Sequence, residues 1–181
     1  WDDDAVSLGM GEKSQTWSVG GLPTPSEVPW EQLGPIPVAY ITGTNGKTTS
    51  TRMTTCIFKA ASQCTGSTSS DGVVVDGVRV ERGDWTGPGA ARRVLRHSDV
   101  TLAVLETARG GLLRRGLVVD QCDAALITNI ADDHLGEYGV QTLSDMAQAK
   151  GLVCQGVRPE GRRVLNADDP LLWALGQTDG P

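Results

Sequence analysis

Short apolar runs alternate along the chain with longer stretches of mixed polarity. We predict buried strands at the apolar runs, because a strand covered on both faces has few polar positions. These runs are residues 37–42, 101–106, 124–128 and 163–166. The stretches between them predict helices at residues 47 to about 62, 90–97 and 143–155. Strands that alternate with helices indicate the α/β class, in which a mostly parallel sheet is flanked by helices.

Two segments depart from this alternation. Residues 71–81 place Asp76-Gly77 between two valine-rich runs, which predicts a small β-hairpin insertion, since a two-residue turn requires positive φ. Residues 1–36 are rich in Asp, Gly, Pro and Ser and have little periodicity. We therefore predict an irregular lead-in over residues 1–36 and one domain over residues 37–181.

Composition narrows the functional classes. The chain has 181 residues and a net charge of −6, which disfavours nucleic acid and membrane surfaces as partners. No apolar run reaches the length of a membrane-spanning helix, and no signal peptide is visible. The four cysteines show no Cys-x-x-Cys pair or ligand spacing, so we expect reduced thiols and a cytoplasmic location.

The turn after the first predicted strand has the sequence Thr42-Gly-Thr-Asn-Gly-Lys-Thr-Thr49. A P-loop of the usual spacing would need glycine where Ile41 stands. The physical requirements for binding a phosphate are still met, because backbone N–H groups of the turn and the helix N-terminus can hold phosphate oxygens. Lys47 would then reach the β- and γ-phosphates, and the Thr48 hydroxyl would ligate magnesium. A chance Gly-Lys-Thr in a surface turn is the alternative, but the order strand, turn, helix favours a phosphate site.

This shortened loop resembles the ATP-binding loop of the Mur ligase family, in which it is the normal form. Further segments follow in the order of that family, and resemble its cyanophycin-synthetase subgroup. They are Ser69-Ser-Asp-Gly-Val73, Gly83-Asp-Trp-Thr-Gly-Pro88, Leu105-Glu-Thr-Ala-Arg-Gly-Gly-Leu-Leu-Arg-Arg-Gly116, Thr128-Asn-Ile-Ala-Asp-Asp-His-Leu-Gly136 and Leu165-Asn-Ala-Asp-Asp-Pro170. The resemblance covers nearly all of residues 36–175.

The resemblance implies a P-loop type central domain and an ATP-dependent ligase that joins a carboxylate to an amine through an acyl phosphate. ATP and Mg²⁺ would be the cofactors. The partners would be an amino-acid or peptide carboxylate acceptor and an amine donor. The subgroup implies the joining of an amino acid to a peptide carboxylate.

Three residues are candidates for magnesium and catalysis beside Lys47. Glu106 ends a predicted strand, where open α/β sheets place their ligand sites, and a hard dication prefers carboxylate oxygen. His134 would by itself be more often structural, but the resemblance implies that it joins Glu106 at a second magnesium. Lys150 lies in a predicted amphipathic helix and would ordinarily face solvent, whereas the resemblance implies that it is carbamoylated and ligates the second magnesium.

The remaining candidates surround these groups. Asn129 would either bind the nucleotide or orient the loop, and the sequence leaves both roles open. Arg114 and Arg115 are as compatible with ordinary surface charge as with an anion site, and Asp168 and Asp169 are expected to cap a helix that begins at Pro170. The ATP and phosphate ligands are expected to be Gly43, Thr44, Asn45, Gly46, Lys47, Thr48, Thr49 and Asn129. The acceptor contacts are expected to be Thr68, Ser69, Ser70, Asp71 and Arg109.

Two motifs of the family's C-terminal domain, His-Asn-x-x-Asn and Asp-Tyr-Ala-His, do not occur in the chain. We therefore expect this chain alone to bind nucleotide weakly and not to complete a ligation. Two other classes stay open: a P-loop ATPase or switch, which would hydrolyse ATP without an amine, and a non-catalytic nucleotide-binding module. The sequence also leaves open whether the protein forms a homo-oligomer.

Overall fold

The computed structural model describes residues 4–132 and 135–178. Residues in the lead-in form a two-stranded antiparallel sheet of β1 (Ala5–Leu8) and β2 (Gln15–Ser18). The prediction of a wholly irregular lead-in is therefore corrected at these strands. The connection between them is docked on the main domain, since the Glu12 N–H donates to the Val100 carbonyl at 2.9 Å.

Within the described ranges, seven further strands form the main sheet. In chain order they are β3 (Val38–Thr42), β4 (Thr65–Ser69), β5 (Gly72–Val75), β6 (Val78–Arg82), β7 (Leu102–Glu106), β8 (Cys122–Ile127) and β9 (Val157–Leu165). Their spatial order is β6-β5-β4-β7-β3-β8-β9. Neighbouring strands in the series β4-β7-β3-β8-β9 are parallel. At one edge of the sheet, β5 pairs antiparallel with both β4 and β6. This arrangement confirms the predicted α/β class with a mostly parallel sheet and a hairpin insertion.

Five α-helices accompany the sheet in the described residues. They are α1 (Lys47–Ala60), α2 (Pro88–Leu95), α3 (Arg109–Arg115), α4 (Leu143–Gln155) and α5 (Pro170–Thr178). Helix α1 packs on β3, β4 and β7, α2 packs on β4, β5 and β7, and α4 packs on β8 and against α3 and α5. Among these residues, no helix is both long enough and apolar enough to cross a bilayer.

Alternate positions of the central strands face opposite sides of the sheet, as the period of a strand requires. Ile41 and Val104 belong to the smaller apolar cluster, which the partly buried Phe58 of α1 joins. Tyr40 and Leu105 belong to the main core cluster, in which residues of α2 and α4 also take part. The sheet is therefore buried on both faces, and a ligand would approach it at the ends of its strands.

Strand β4 and helix α3 were not predicted. The sequence of β4, Thr-Gly-Ser-Thr-Ser, has no large apolar side chain, yet each of its residues is buried between β5 and β7. Helix α3 contains two adjacent glycines, which lower helix propensity. Tertiary packing determines both elements, because the local patterns favour neither.

Candidate functional site

The turn between β3 and α1 has a backbone that only glycine adopts easily. Gly43 has φ of +142°, and a Cβ there would lie 1.9 Å from the Thr128 hydroxyl oxygen. Gly46 has φ of +82° and immediately precedes α1. The two glycines let the chain turn sharply from the strand end into the helix N-terminus, where backbone N–H groups and the helix dipole favour an anion.

The segment after β8 holds this turn in place. The Asn129 side chain accepts a hydrogen bond from the Asn45 N–H at 3.0 Å and donates to the Asn45 carbonyl at 3.0 Å. The Thr128 hydroxyl donates to the same carbonyl at 2.6 Å, and the Thr44 N–H donates to the Asn129 carbonyl at 2.9 Å. The Asn129 side chain is thus bonded to the loop, as the orienting role requires, and its binding to the nucleotide stays a prediction. Thr128 was not singled out in the sequence, because its partner is distant along the chain.

Lys47 lies against the turn that precedes it. Its ammonium group donates to the Gly43 carbonyl at 3.0 Å and to the Thr44 carbonyl at 2.9 Å. The next residue, Thr48, shares a hydrogen bond of 3.1 Å between its hydroxyl and that of Ser70. Thr49 is exposed in the first turn of α1. A cation and a hydroxyl therefore stand at the point where the turn meets the helix.

Glu106, the last residue of β7, is 3% exposed. Its Oε2 atom has no hydrogen-bond partner among the residues that the structure describes. Burial raises the pKa of the Glu106 carboxyl above its ordinary value, while a hydrogen bond with Thr48 and the charge of Lys47 oppose this rise. A buried carboxylate oxygen without a donor is a costly arrangement, and a hard cation bound to it would remove that cost. Glu106 and the adjacent Thr48 hydroxyl thus fit a magnesium ion.

Lys150 is brought to the same turn by α4. It is 4% exposed, and its ammonium group donates to the Gly43 carbonyl at 2.8 Å. The solvent-facing position expected of a lysine in an amphipathic helix is therefore wrong for Lys150. Lys150 is instead buried beside the predicted phosphate-binding turn. It therefore lies at the candidate site, a position that only the resemblance to the family had implied.

A cleft of about 420 Å³ opens beside these groups. It is lined by Lys47, Asp84, Arg109, Arg114, Tyr138 and Lys150, among others. Arg109 is 8% exposed and donates to a Glu137 carboxylate oxygen at 3.0 Å. The guanidinium carbons of Arg109 and Arg114 lie 5.9 and 5.1 Å from the centre of the Tyr138 ring. Cationic groups dominate this cleft, so it suits an anionic ligand.

The other acceptor candidates fall into two groups. Thr68 and Ser69 are buried within β4, where Ser69 accepts a hydrogen bond from the Asp71 N–H at 3.2 Å. Ser70 contacts Thr48, as described above, and Asp71 forms an ion pair with Arg52. Of the five expected acceptor residues, Ser70 thus contacts the magnesium candidate Thr48 and Arg109 lines the cleft. Arg52 was not singled out in the sequence.

Two further predictions concern the segment beyond β8. Asp133 and His134 lie outside the described residues, so the expected second-magnesium ligand His134 stays a prediction. Asp169 caps α5, because its carboxylate accepts hydrogen bonds from the Leu171 and Leu172 N–H groups at 3.0 and 3.2 Å. It also accepts from the Ile130 N–H at 2.6 Å, which ties the cap to the segment that holds the loop.

Comparison with known proteins connects this site to one family. A family model described as the Mur ligase middle domain matches residues 41–178. The chain is 47% identical, over 149 residues, to a cyanophycin synthetase of Crocosphaera subtropica; the match covers 82% of this chain and 17% of that protein. The chain thus spans about a sixth of the length of that relative.

Two solved structures show a similar fold. The structure of UDP-N-acetylmuramoyl-L-alanyl-D-glutamate–2,6-diaminopimelate ligase aligns with a TM-score of 0.65 and 23% identity, over 80% of this chain and 29% of that one. A bifunctional folylpolyglutamate synthase/dihydrofolate synthase with Mn, AMPPNP and L-glutamate bound aligns with a TM-score of 0.61 and 22% identity, over 78% of this chain and 41% of that one.

Proposed function

The chain belongs to the Mur ligase middle-domain family, and from that membership we propose that it supplies the nucleotide-binding part of an ATP-dependent ligase that joins a carboxylate to an amine. The observation that carries this proposal is Glu106, whose buried Oε2 has no donor in the described residues and stands beside the Thr48 hydroxyl and the Lys47 charge. A cation held by Glu106 and Thr48 beside the nucleotide phosphates would account for that arrangement.

The residues of the turn would hold the triphosphate. Backbone N–H groups at the start of α1, from Gly46 to Thr48, would face the phosphate oxygens, and Lys47 would exchange its two carbonyl acceptors for phosphate oxygens. Thr48 and Glu106 would hold Mg²⁺, with His134 and a carbamoylated Lys150 at a second ion. Bound magnesium would offset the repulsion between two anionic reactants, the triphosphate and the carboxylate.

The proposed reaction has two steps. A carboxylate oxygen of the acceptor attacks the γ-phosphorus of ATP, the bond to the bridging oxygen breaks, and ADP leaves with that electron pair. The amine nitrogen then attacks the acyl carbon, phosphate leaves, and the amine proton passes to solvent. The cationic cleft that Arg109 and Arg114 line is where we place the acceptor carboxylate, because guanidinium groups bind carboxylates with paired hydrogen bonds.

The substrate class follows from the names of the relatives. The cyanophycin synthetase at 47% identity supports a cyanophycin-type ligase that extends a peptide carboxylate by an amino acid. The folylpolyglutamate synthase holds L-glutamate, an amine donor that itself carries carboxylates. We place the reaction in the cytoplasm, since none of the four cysteines, which all lie in the described residues, forms a disulfide there.

A chimera tests this proposal. The matching segment of the Crocosphaera subtropica protein is replaced by this chain, and ADP release is measured with that protein's own substrates. We expect ADP release that requires both the carboxylate and the amine, and that Glu106→Gln reduces at least about 100-fold, a loss typical of a removed electrostatic group. The unaltered relative is the positive control. ADP release at an equal rate without the amine would instead identify an ATPase or switch, and retained nucleotide binding without ADP release would identify a binding module.

A further inference from the structure

A second concave surface lies between the hairpin of β5 and β6 and the helix α2. We call it the arginine groove, and its volume is about 520 Å³, within the usual range for small-ligand sites. Its apolar lining comes from Val73, Val75 and Val80 on the hairpin. None of these residues takes part in the site described above.

The helix side of the arginine groove is basic. Arg92, Arg93, Arg96 and His97 line it, on α2 and just beyond its last residue. Glu81 is the acidic residue among the lining groups, and it pairs with Arg93 at 2.6 Å across the groove. Basic residues thus outnumber acidic ones in this groove, although the chain as a whole carries a charge of −6. Such a local excess of cations favours an anionic ligand.

The basic residues of this surface are close together along the chain. Arg92 and Arg93 lie near the end of α2, and Arg96 and His97 directly follow its last residue. Arg92 is exposed, and its guanidinium has five N–H donors that match carboxylate oxygens. The valines on the hairpin side and the guanidinium groups on the helix side suit a ligand that combines methylene groups with carboxylates.

The arginine groove adjoins the cleft through one loop. Asp84 lines the cleft, and the next residue, Trp85, lines the groove. The Trp85 N–H donates to the Ser69 carbonyl at 3.1 Å, and its indole N–H donates to the Arg82 carbonyl at 3.0 Å. The loop is therefore tied to β4 and β6, and two adjacent residues of this loop line the two concave surfaces.

We propose that the arginine groove is an accessory site for the carboxylates of an acidic peptide, whose reacting end occupies the cleft. This proposal rests on the proposed function, since it takes the peptide acceptor as the ligand. A glutamate-type side chain provides both parts that the groove matches, a methylene stem for the valines and a carboxylate for Arg92 and its neighbours.

Fluorescence polarisation of this chain with fluorescein-labelled triglutamate tests the proposal, with labelled triglutamine as the neutral probe. We expect triglutamate to bind at least about 10-fold more tightly than triglutamine, and Arg92→Glu to weaken triglutamate binding by about 10-fold, the effect of losing one charge-assisted contact. Arg79→Glu is the matched control, because Arg79 is exposed on the same hairpin outside the groove and the variant changes the net charge equally.

Three results would overturn the proposal: no triglutamate binding by the wild type, equal binding of both probes, or equal losses in Arg92→Glu and Arg79→Glu. Thermal unfolding of each variant confirms that it is folded. A lower midpoint in Arg92→Glu with unchanged peptide binding would show that Arg92 only stabilises the C-terminus of α2, and would also contradict the proposal. Titration with Mg·AMPPNP distinguishes failure of the proposed function from failure of the peptide site. If nucleotide did not bind but Arg92-dependent peptide binding remained, the proposed function would be refuted and the peptide site would stand.

Discussion

Lys47 and Lys150 donate to the same acceptor, the carbonyl oxygen of Gly43, at 3.0 and 2.8 Å. One lysine begins α1 and the other lies in α4, so two helices direct ammonium groups onto the turn between β3 and α1. Because both nitrogens bond one oxygen, they are at most about 6 Å apart, a distance at which like charges repel appreciably. Nucleotide phosphates or a change in the charge of Lys150 would relieve this repulsion.

Carbamoylation of Lys150 is the first consequence that we expect. The reaction with CO₂ turns a buried cation into an anion, so its interaction with Lys47 changes from repulsion to attraction. In ¹³C-bicarbonate, NMR of this chain with magnesium should show a carbamate carbon signal. Lys150→Arg keeps the positive charge but does not form this carbamate, so the signal should vanish in that variant. A signal of equal size in Lys150→Arg would assign it to another amine and contradict the expectation.

Glu106→Gln should stabilise the chain at neutral pH in the absence of magnesium. Burial raises the pKa of Glu106 above its ordinary 4.5, so the native state binds the proton more tightly than the unfolded chain. The contribution of Glu106 to the free energy of unfolding is therefore fully present below about pH 4.5. It is lost as the pH rises through the raised pKa of Glu106 in the folded state. The variant has no carboxylate to desolvate, so its free energy of unfolding at pH 7.5 should be about 1 kcal/mol higher. This difference corresponds to a rise of roughly 2–4 °C in the unfolding midpoint.

Urea or thermal unfolding at several pH values measures this effect. The advantage of Glu106→Gln should shrink towards pH 4, where the wild-type carboxyl is protonated. Magnesium with AMPPNP should reverse the order at pH 7.5, because only the wild type keeps the ligand. A variant less stable than the wild type at pH 7.5 without magnesium would contradict the assignment of Glu106 as an unfavourably buried carboxylate.

Asn129→Ala should loosen the phosphate turn without unfolding the domain. The substitution removes both side-chain hydrogen bonds to the Asn45 backbone, which should lower the free energy of unfolding by about 1–2 kcal/mol. Nucleotide affinity should fall about 10-fold, because the turn must then be ordered during binding. Asn129→Asp keeps an acceptor for the Asn45 N–H and loses the donor, so we expect an intermediate affinity. Unchanged nucleotide affinity in both variants would exclude a role for Asn129 in orienting the turn.

Gly43→Ala should be among the most damaging single-methyl additions to the chain. The new Cβ would lie 1.9 Å from the Thr128 hydroxyl oxygen, and φ of +142° is strained for any other residue. We expect a loss of at least about 2 kcal/mol in the free energy of unfolding. Gly20→Ala is the control, because a Cβ there meets no heavy atom within 4 Å, and it should change stability by less than about 0.5 kcal/mol. Equal unfolding midpoints for the two variants would contradict this geometry.

The features that local sequence determines could be predicted. The apolar run of β3, the turn glycines and Lys47 are adjacent in sequence, so the strand, the turn and the start of α1 follow from one short segment. The turn of the hairpin was also predictable, because Asp76 and Gly77 both adopt positive φ, at 47° and 79°.

Features that depend on distant partners could not be predicted. Strand β4 is polar and is buried only because β5 and β7 flank it. The direction of Lys150 depends on how α4 packs on the sheet, and the pairing of Asp71 with Arg52 depends on the approach of α1 to the end of β4. No local pattern encodes which face of a helix meets a loop from another part of the chain. The resemblance to a family implied the role of Lys150, but the packing explains how the residue reaches the site.

The central claim is that the turn from Gly43 to Thr48 holds nucleotide phosphates. Calorimetric titration of this chain with Mg·AMPPNP, beside Lys47→Ala and the surface variant Lys59→Ala, tests it most directly. Lys59 lies in the last turn of α1 and is exposed, so its loss should leave affinity unchanged. We expect saturable binding by the wild type and by Lys59→Ala, and at least about 10-fold weaker binding by Lys47→Ala. Equal affinity in all three proteins would contradict the account, since the nucleotide would then bind away from the turn.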